Sequence, residues 1–291
     1  MNRPAVGITI GDPAGIGPEI VVRAVAGDVV RQSVRAVVIG DAWVVQRAME
    51  ATGVQVEFTL DGPVQFIDLA NVDHRLQWGK VQATAGAAAG QFIERAVEEA
   101  LAGRVDALAT APINKEALWR AGYRYLGHTE MLGALTDSPD PLTMFLVRNL
   151  RIFFLTRHVS LREALELVTR EHVAAMLPRI DAALRGLGLD HPRIAVAALN
   201  PHAGEAGELG TEDRDEIAPA VEEAHGKGLR VEGPVPADAV FAQALEGRYD
   251  AVLALYHDQG HIGQDGGFPR CGERDAGAPV YPRLGRPRQR V

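Results

Sequence analysis

Only one cysteine, Cys271, stands among the 291 residues, so no disulfide can form within the chain. That usage suits a reducing compartment. No apolar run approaches the roughly eighteen residues of a membrane helix, and the opening MNRPAVGITIGDPAG lacks the apolar stretch of a signal peptide. A cytoplasmic protein is expected. No basic patch offsets the formal net charge of −8, which argues against a nucleic-acid surface. Neither a P-loop nor the G-x-G-x-x-G dinucleotide fingerprint is present, so no cofactor-contacting residue can be named. No repeat, low-complexity segment or linker marks a domain boundary.

The chain is long enough for a sizeable core and near the length at which one core splits, so two domains with a cleft are expected. Short β-rich runs alternate with helical patterns. Ala5–Ile10, Ala36–Gly40, Gln65–Asp68, Ala107–Ala111, Thr143–Leu146, Ile152–Thr156, Ile194–Leu199 and Ala251–Leu255 read as strands. Pro18–Ala26, Ala42–Thr52, Thr84–Ala102, Leu161–Leu184, Thr211–Lys227 and Ala237–Leu245 read as helices. Such alternation predicts α/β layers around a largely parallel sheet.

Three histidines close apolar strand-like runs: His158 in RIFFLTRH, His202 in RIAVAALNPH and His257 in AVLALYH. Imidazoles brought together from separate strands can hold a divalent ion such as zinc, with one position open for substrate. A lone histidine after a strand is more often a loop or capping residue, but these lie beside polar residues and glycines at the strand ends where open α/β sheets bind ligands.

Three further segments could meet an anion. The loop Gly11–Glu19 joins a strand to a helix and can approach a phosphate closely, or it is simply a tight turn. Lys115 in APINK offers a cation after a strand. His128 and Thr129 in GHTE open a helix whose free N–H groups, imidazole and hydroxyl could together hold phosphate, with an ordinary Thr129 cap as the alternative. Asp238 is either a functional carboxylate or a helix cap. His74, His172, His191 and His225 lie in polar or helical settings and receive no role.

Taken in order, GDPAGIGPE, APINK, GHTE, TRH, NPHAGE, the P-x-D at Asp238 and YHDQG resemble the 4-hydroxythreonine-4-phosphate dehydrogenase family of pyridoxine biosynthesis, from residue 5 to about 262. The resemblance implies two α/β/α domains similar to isocitrate and isopropylmalate dehydrogenases, with an active-site cleft between them and a homodimer sharing its active site. It implies His158, His202 and His257 as ligands of a divalent metal (zinc, with magnesium or cobalt as alternatives), and His128 and Thr129 as substrate contacts. Lys115 and Asp238 are the further candidate substrate contacts read from the residues themselves. The implied reaction is oxidation of the C3 hydroxyl of 4-phosphohydroxythreonine by NAD or NADP, with decarboxylation to 3-amino-2-oxopropyl phosphate. YHDQGHI and APINKEAL look closer to a sister branch acting on erythronate or threonate 4-phosphate. A phosphate-binding transferase on a similar fold would need no metal and would leave the three histidines without a job. By this resemblance the first domain is expected to comprise residues 1–125 plus 250–262, and the second 126–249.

The resemblance stops after Ile262. Over residues 263–291 glycine, proline and arginine make up 16 of 29 residues, and no helical or strand period survives, so this tail is expected to be disordered. The family's substrate-binding Lys, Asn and Arg fall by spacing on Asp265, Arg274 and Arg283, so an inactive remnant that binds only metal is the contrasting expectation. Back-translated one base over, Glu273–Gly277 can spell N-V-T-L-G, a segment the family carries. The hypothesis is a reading-frame change near codon 263. Sequencing the encoding DNA checks it: the shifted frame is expected to encode the missing family segment, and an unrelated shifted frame would sink the idea.

Overall fold

A computed structural model describes residues 3–138 and 141–265. The chain divides into two compact α/β units between Pro141 and Leu142. The first unit runs β1 (Ala5–Thr9), α1 (Gly17–Ala26), α2 (Asp28–Ser33), β2 (Arg35–Gly40), α3 (Ala42–Thr52), β3 (Val64–Asp68), α4 (Ala83–Leu101), β4 (Ala107–Thr110), α5 (Lys115–Arg120) and α6 (His128–Leu135). Its four strands form a parallel sheet in the order β3-β2-β1-β4. Strand β2 is buried along nearly its whole length, as a central parallel strand covered on both faces must be.

The long helix α4 buries Phe92, Ile93, Ala96 and Val97. Its run of small residues has a packing purpose, because a Cβ on Gly86 would come within 2.0 Å of the Ala117 carbonyl oxygen. Only glycine there lets α5 approach α4 backbone to backbone. At the far end of α4, Glu99 is almost wholly buried, where it accepts hydrogen bonds from Arg104 and from Arg95 (2.7 Å). These two guanidinium groups, Arg104 first, outweigh burial and hold the Glu99 carboxyl below its ordinary pKa.

The second unit runs β5 (Met144–Val147), β6 (Leu150–Phe154), α7 (Leu161–Glu166), α8 (Arg170–Gly186), β7 (Arg193–Ala197), α9 (Ala218–Gly226), β8 (Arg230–Val235), α10 (Ala237–Leu245), β9 (Ala251–Ala254) and α11 (His257–Asp265). The sheet order is β5-β6-β9-β7-β8, parallel except for the β5–β6 hairpin. Strand β9 is buried throughout and occupies the centre, with one core of Leu177, Ile180, Ile194 and Leu253 on one face and another of Ile152, Val240 and Phe241 on the other.

All eight expected strands are present. The short helices α2, α5 and α11 were not expected, and four further findings depart from expectation. Residues 251–254 do not return to the first unit: as the fully apolar strand β9 they are buried between β6 and β7, while α6 stays with the first unit. Strand β8 was not expected, because Gly233 and Pro234 weaken its strand pattern, which an edge position tolerates. The stretch 161–184 is two helices, since Thr169 caps a new one by accepting from the His172 N–H (3.3 Å). The pattern over 211–227 becomes regular α-helix only from Ala218, after a wider turn at Asp213–Ile217. The tail expected over 263–291 lies, beyond Asp265, outside the described residues.

Glu99 yields a stability prediction. A carboxylate whose pKa is depressed on folding stabilises the native state above its unfolded pKa, and that contribution fades as pH falls through the folded value. Glu99→Ala is expected to cost about 1–3 kcal/mol at pH 7. Thermal melts at pH 7 and pH 3 check it, with the gap between variant and parent narrowing at the lower pH.

Candidate functional site

Strands β6, β9 and β7 are parallel neighbours, so their carboxyl ends lie along one edge of the second unit's sheet. His158 follows β6 by four residues, His257 follows β9 by three, and His202 follows β7 by five. Pairing continues past the strands proper. Leu155 N–H donates to the Ala254 carbonyl (2.8 Å), and the Thr156 hydroxyl donates to the Leu255 carbonyl (2.8 Å). These bonds hold the two chain segments together, and the His158 and His257 rings come to 6.2 Å between centroids. Zinc–nitrogen bonds of about 2.1 Å put two tetrahedral imidazoles roughly 5 Å apart, so the observed pair lies about 1 Å wider than a ligated one.

Buried polar side chains pin the loops that carry the rings. Gln259 accepts from Leu255 N–H (2.7 Å) and donates to the Ala198 carbonyl (2.8 Å), tying the start of α11 to the end of β7. Asp213, 1% exposed, accepts from the backbone N–H groups of Leu199 (2.7 Å) and Asn200 (2.9 Å) and from the Asn200 side-chain amide (2.9 Å). It thereby fixes the exit of β7, just before His202. The following turn is left-handed, with positive φ at His202, Ala203, Gly204, Glu205 and Ala206. Four of these residues carry a Cβ, and each costs about 1–2 kcal/mol in that conformation. Strain of this kind collects at functional positions.

Two of the three rings have one nitrogen engaged. His202 Nδ1 meets Glu205 (2.7 Å) and His257 Nδ1 meets Asp258 (2.7 Å). With Nδ1 donating to a carboxylate, Nε2 is the free donor atom a metal needs. Glu205 raises the His202 pKa by its hydrogen bond and its charge, and Asp238 adds to the rise. Asp238 is exposed in the first turn of α10 and provides no N-cap, because Pro236 takes that position without a side-chain bond. Among the described residues no three His, Cys, Asp or Glu side chains are gathered closely enough to hold a metal as they stand. The donor set fits a divalent ion; the spacing is wider than a bound one.

A separate groove in this unit lies along β8, lined by Val221, His225, Glu232, Pro234, Arg248 and Tyr249. Its carboxylate is already engaged by the Tyr249 hydroxyl (2.7 Å) and Arg248 (2.9 Å), and none of the three candidate ligands lines it.

In the first unit, β1 and β4 are parallel neighbours and end together at Thr9 and Thr110. The loop after β1 is bound to the loop after β4 through Asp12 N–H donating to the Pro112 carbonyl (2.9 Å). Gly11 has φ +73°, and a Cβ there would lie 2.3 Å from that carbonyl oxygen, so this approach requires glycine. Asp12 accepts from Ala14 N–H (2.8 Å), and burial pushes its carboxyl pKa up.

His128 opens α6 and hydrogen-bonds the Ala111 backbone. Burial nevertheless lowers its pKa, favouring the neutral ring, and its Nε2 is buried without a partner. The N-cap of α6 is Gly127, which offers no side chain, so the first-turn N–H groups have no side-chain cap. The alternative of a Thr129 cap is therefore not realised. Lys115, exposed, begins α5, whose N-cap Asn114 accepts from Ala117 N–H (2.9 Å). The unassigned histidines have structural partners in part: His74 stacks on Trp43 (4.8 Å), and His172 Nδ1 meets the Leu167 carbonyl (3.0 Å). Sequence reasoning missed Asp213 and Gln259. Gln259 stands inside the YHDQG segment already singled out, whereas Asp213 sits in an acidic run, TEDRDE, that does not set it apart.

Comparison with known proteins gives a consistent result. A family profile described as "Pyridoxal phosphate biosynthetic protein PdxA" matches residues 32–264. A relative from Symbiobacterium thermophilum named "Putative D-threonate 4-phosphate dehydrogenase" is 53% identical over 272 residues, covering 90% of this chain and 81% of its own. Another of that name from Clostridium botulinum is 50% identical with the same coverage. The crystal structure of a 4-hydroxythreonine-4-phosphate dehydrogenase from Burkholderia phymatum superposes with a TM-score of 0.84 at 39% identity, covering 92% of this chain and 85% of the other. The histidine-bearing strand ends and the uncapped start of α6 thus sit in an oxidoreductase fold, and the chain belongs to the PdxA family of pyridoxal phosphate biosynthetic proteins.

Proposed function

We propose that the chain oxidises a four-carbon sugar-acid 4-phosphate, threonate or erythronate 4-phosphate, at its C3 hydroxyl, with NAD or NADP accepting the hydride and a divalent metal held by His158, His202 and His257. The observation that carries this choice of substrate is the 50–53% identity to relatives named for D-threonate 4-phosphate, against 39% to the structure named for 4-hydroxythreonine 4-phosphate.

Removal of hydride from C3 and of the hydroxyl proton leaves a ketone two carbons from the carboxylate. Such a β-keto acid loses carbon dioxide readily, and protonation at C2 gives glycerone phosphate. Oxidation at C2 would give an α-keto acid and no such loss. When bound, the ion would lower the pKa of the C3 hydroxyl and stabilise the enolate left by decarboxylation, and NAD or NADP would serve as the hydride acceptor.

The protein's own groups supply position and charge. Glu205 and Asp258 each take a ring Nδ1–H and so present the opposite nitrogen of His202 and His257. Asp213 and Gln259 fix the backbone from which those rings project. In the first unit the N-terminus of α6 suits a phosphate: its N–H groups have no side-chain cap, Thr129 adds a hydroxyl, and the neutral His128 ring has an unpartnered Nε2. Lys115 adds a positive charge for an anionic substrate. Asp238 near His202 would accept from the C2 hydroxyl.

A second reading, 4-phosphohydroxythreonine as substrate, draws on the Burkholderia structure and on Asp238, which would then meet the substrate ammonium group. Nicotinamide reduction measured with D-threonate, erythronate and 4-hydroxythreonine 4-phosphates separates the two. A sugar-acid phosphate is expected to be preferred by at least about 10-fold in kcat/KM, with carbon dioxide released in step with each reduction. Preference for the amino substrate would select the second reading. Turnover of none of them, in protein that binds metal, would select the inactive remnant.

Metal dependence has its own test. Asp213→Asn is expected to weaken zinc binding about 10–100-fold in a chelator competition, while His128→Ala leaves it unchanged. Equal zinc affinity in the Asp213 variant and its parent would remove the role given to that carboxylate.

A further inference from the structure

The second unit holds a fourth histidine near the candidate metal ligands, and it is placed by packing. His261 lies one helical turn after His257 in α11, so both rings project from the same face of the helix. The two rings are stacked, 4.0 Å between centroids and 27° between planes. On its other side His261 meets Phe145 edge-on at 4.6 Å and Phe154 at 5.4 Å, and these two phenylalanines themselves form a T-shaped pair at 5.1 Å. An aromatic column therefore runs from Phe154, a buried core residue of β6, through His261 to the face of His257.

The base of the column has little freedom. A Cβ on Gly260 would lie 2.3 Å from the Phe154 ring, so α11 rests directly on that ring. The Gln259 bonds to Leu255 and Ala198 fix the same turn to two strand ends. Asp258 holds the edge of the His257 ring and His261 covers its face. A ring restrained at edge and face keeps one orientation, and orientation of a ligand ring is a large part of metal affinity. Parallel stacking at 4.0 Å also turns the two rings face to face, an arrangement that supports one ligand rather than making two.

We propose that His261 is a positioning residue: its ring, backed by Phe145 and Phe154, holds the face of His257 so that the His257 Nε2 is presented for metal binding. This rests on the reading of His158, His202 and His257 as the metal ligands. It assigns the second histidine of H-D-Q-G-H a stacking part, for which any flat aromatic face of similar size would serve.

The experiment uses the full chain, its His261→Ala variant and its His261→Phe variant. Zinc affinity is measured by chelator competition, and cobalt(II) titration reports ligand geometry through its visible absorption bands. His261→Ala is expected to bind zinc about 10–100-fold more weakly, with altered cobalt bands. His261→Phe keeps the flat face and is expected to stay within about threefold of the parent. Metal-free thermal melts of all three show whether the fold is kept. An alanine variant equal to the parent would overturn the inference alone, and so would a phenylalanine variant as weak as alanine, because the ring nitrogens rather than the face would then be at work. A parent chain that takes up neither zinc nor cobalt would overturn the inference together with the reading beneath it.

Discussion

Parallel pairing of β6, β9 and β7 is the constraint from which the arrangement of the second unit follows. Parallel strands end on the same side, so residues 158, 202 and 257, distant in sequence, emerge along one sheet edge without any local motif to gather them. The pairing demands strands that tolerate burial on both faces, and Ala-Val-Leu-Ala in β9 and Ile-Ala-Val-Ala in β7 meet that demand with small and branched apolar side chains. Once the strands are fixed, buried polar groups refine the edge. Asp213 and Gln259 satisfy backbone donors and acceptors that the strands leave open where they end. Their burial makes those bonds hard to exchange for water, which gives the loops a definite shape.

The first unit obeys the same geometry with a different outcome. There the adjacent parallel ends of β1 and β4 position loops that contain glycine and a buried carboxylate, and His128 at the uncapped start of α6 hydrogen-bonds one of them at the Ala111 backbone. Backbone donors and a neutral imidazole dominate that edge, whereas side-chain nitrogen donors dominate the other.

Much of the fold was legible because the strands are strongly apolar and separated by helical periods. What escaped detection had a local physical reason. Strand β8 contains Gly233 and Pro234, residues that break a strand pattern yet sit well at a sheet edge. The division of α7 from α8 turns on Thr169, a hydrogen-bonding cap inside a stretch whose apolar spacing continues unbroken. The placement of residues 251–254 was misjudged because apolar character announces a central strand but not the sheet it enters. At the site, the three histidines stood out by following strands, whereas His261, four residues after His257, was passed over because its part depends on the aromatic rings it packs against. Asp213 had no such signal, because its role depends on a loop 13–14 residues earlier that folds back over it.

The order of strands in the second sheet also bears on how the site comes into being. Among the described strands β9 is the last to leave the ribosome, yet it fills the centre, between two strands made about a hundred and about sixty residues earlier. Until it arrives, β6 and β7 have no common neighbour, and their apolar edges must wait exposed or be shielded by other means. The sheet therefore cannot be completed, nor its three strand ends aligned, before β9 is available. An ion that needs all three histidines has no earlier species to bind, so metal uptake would report completed assembly of the sheet.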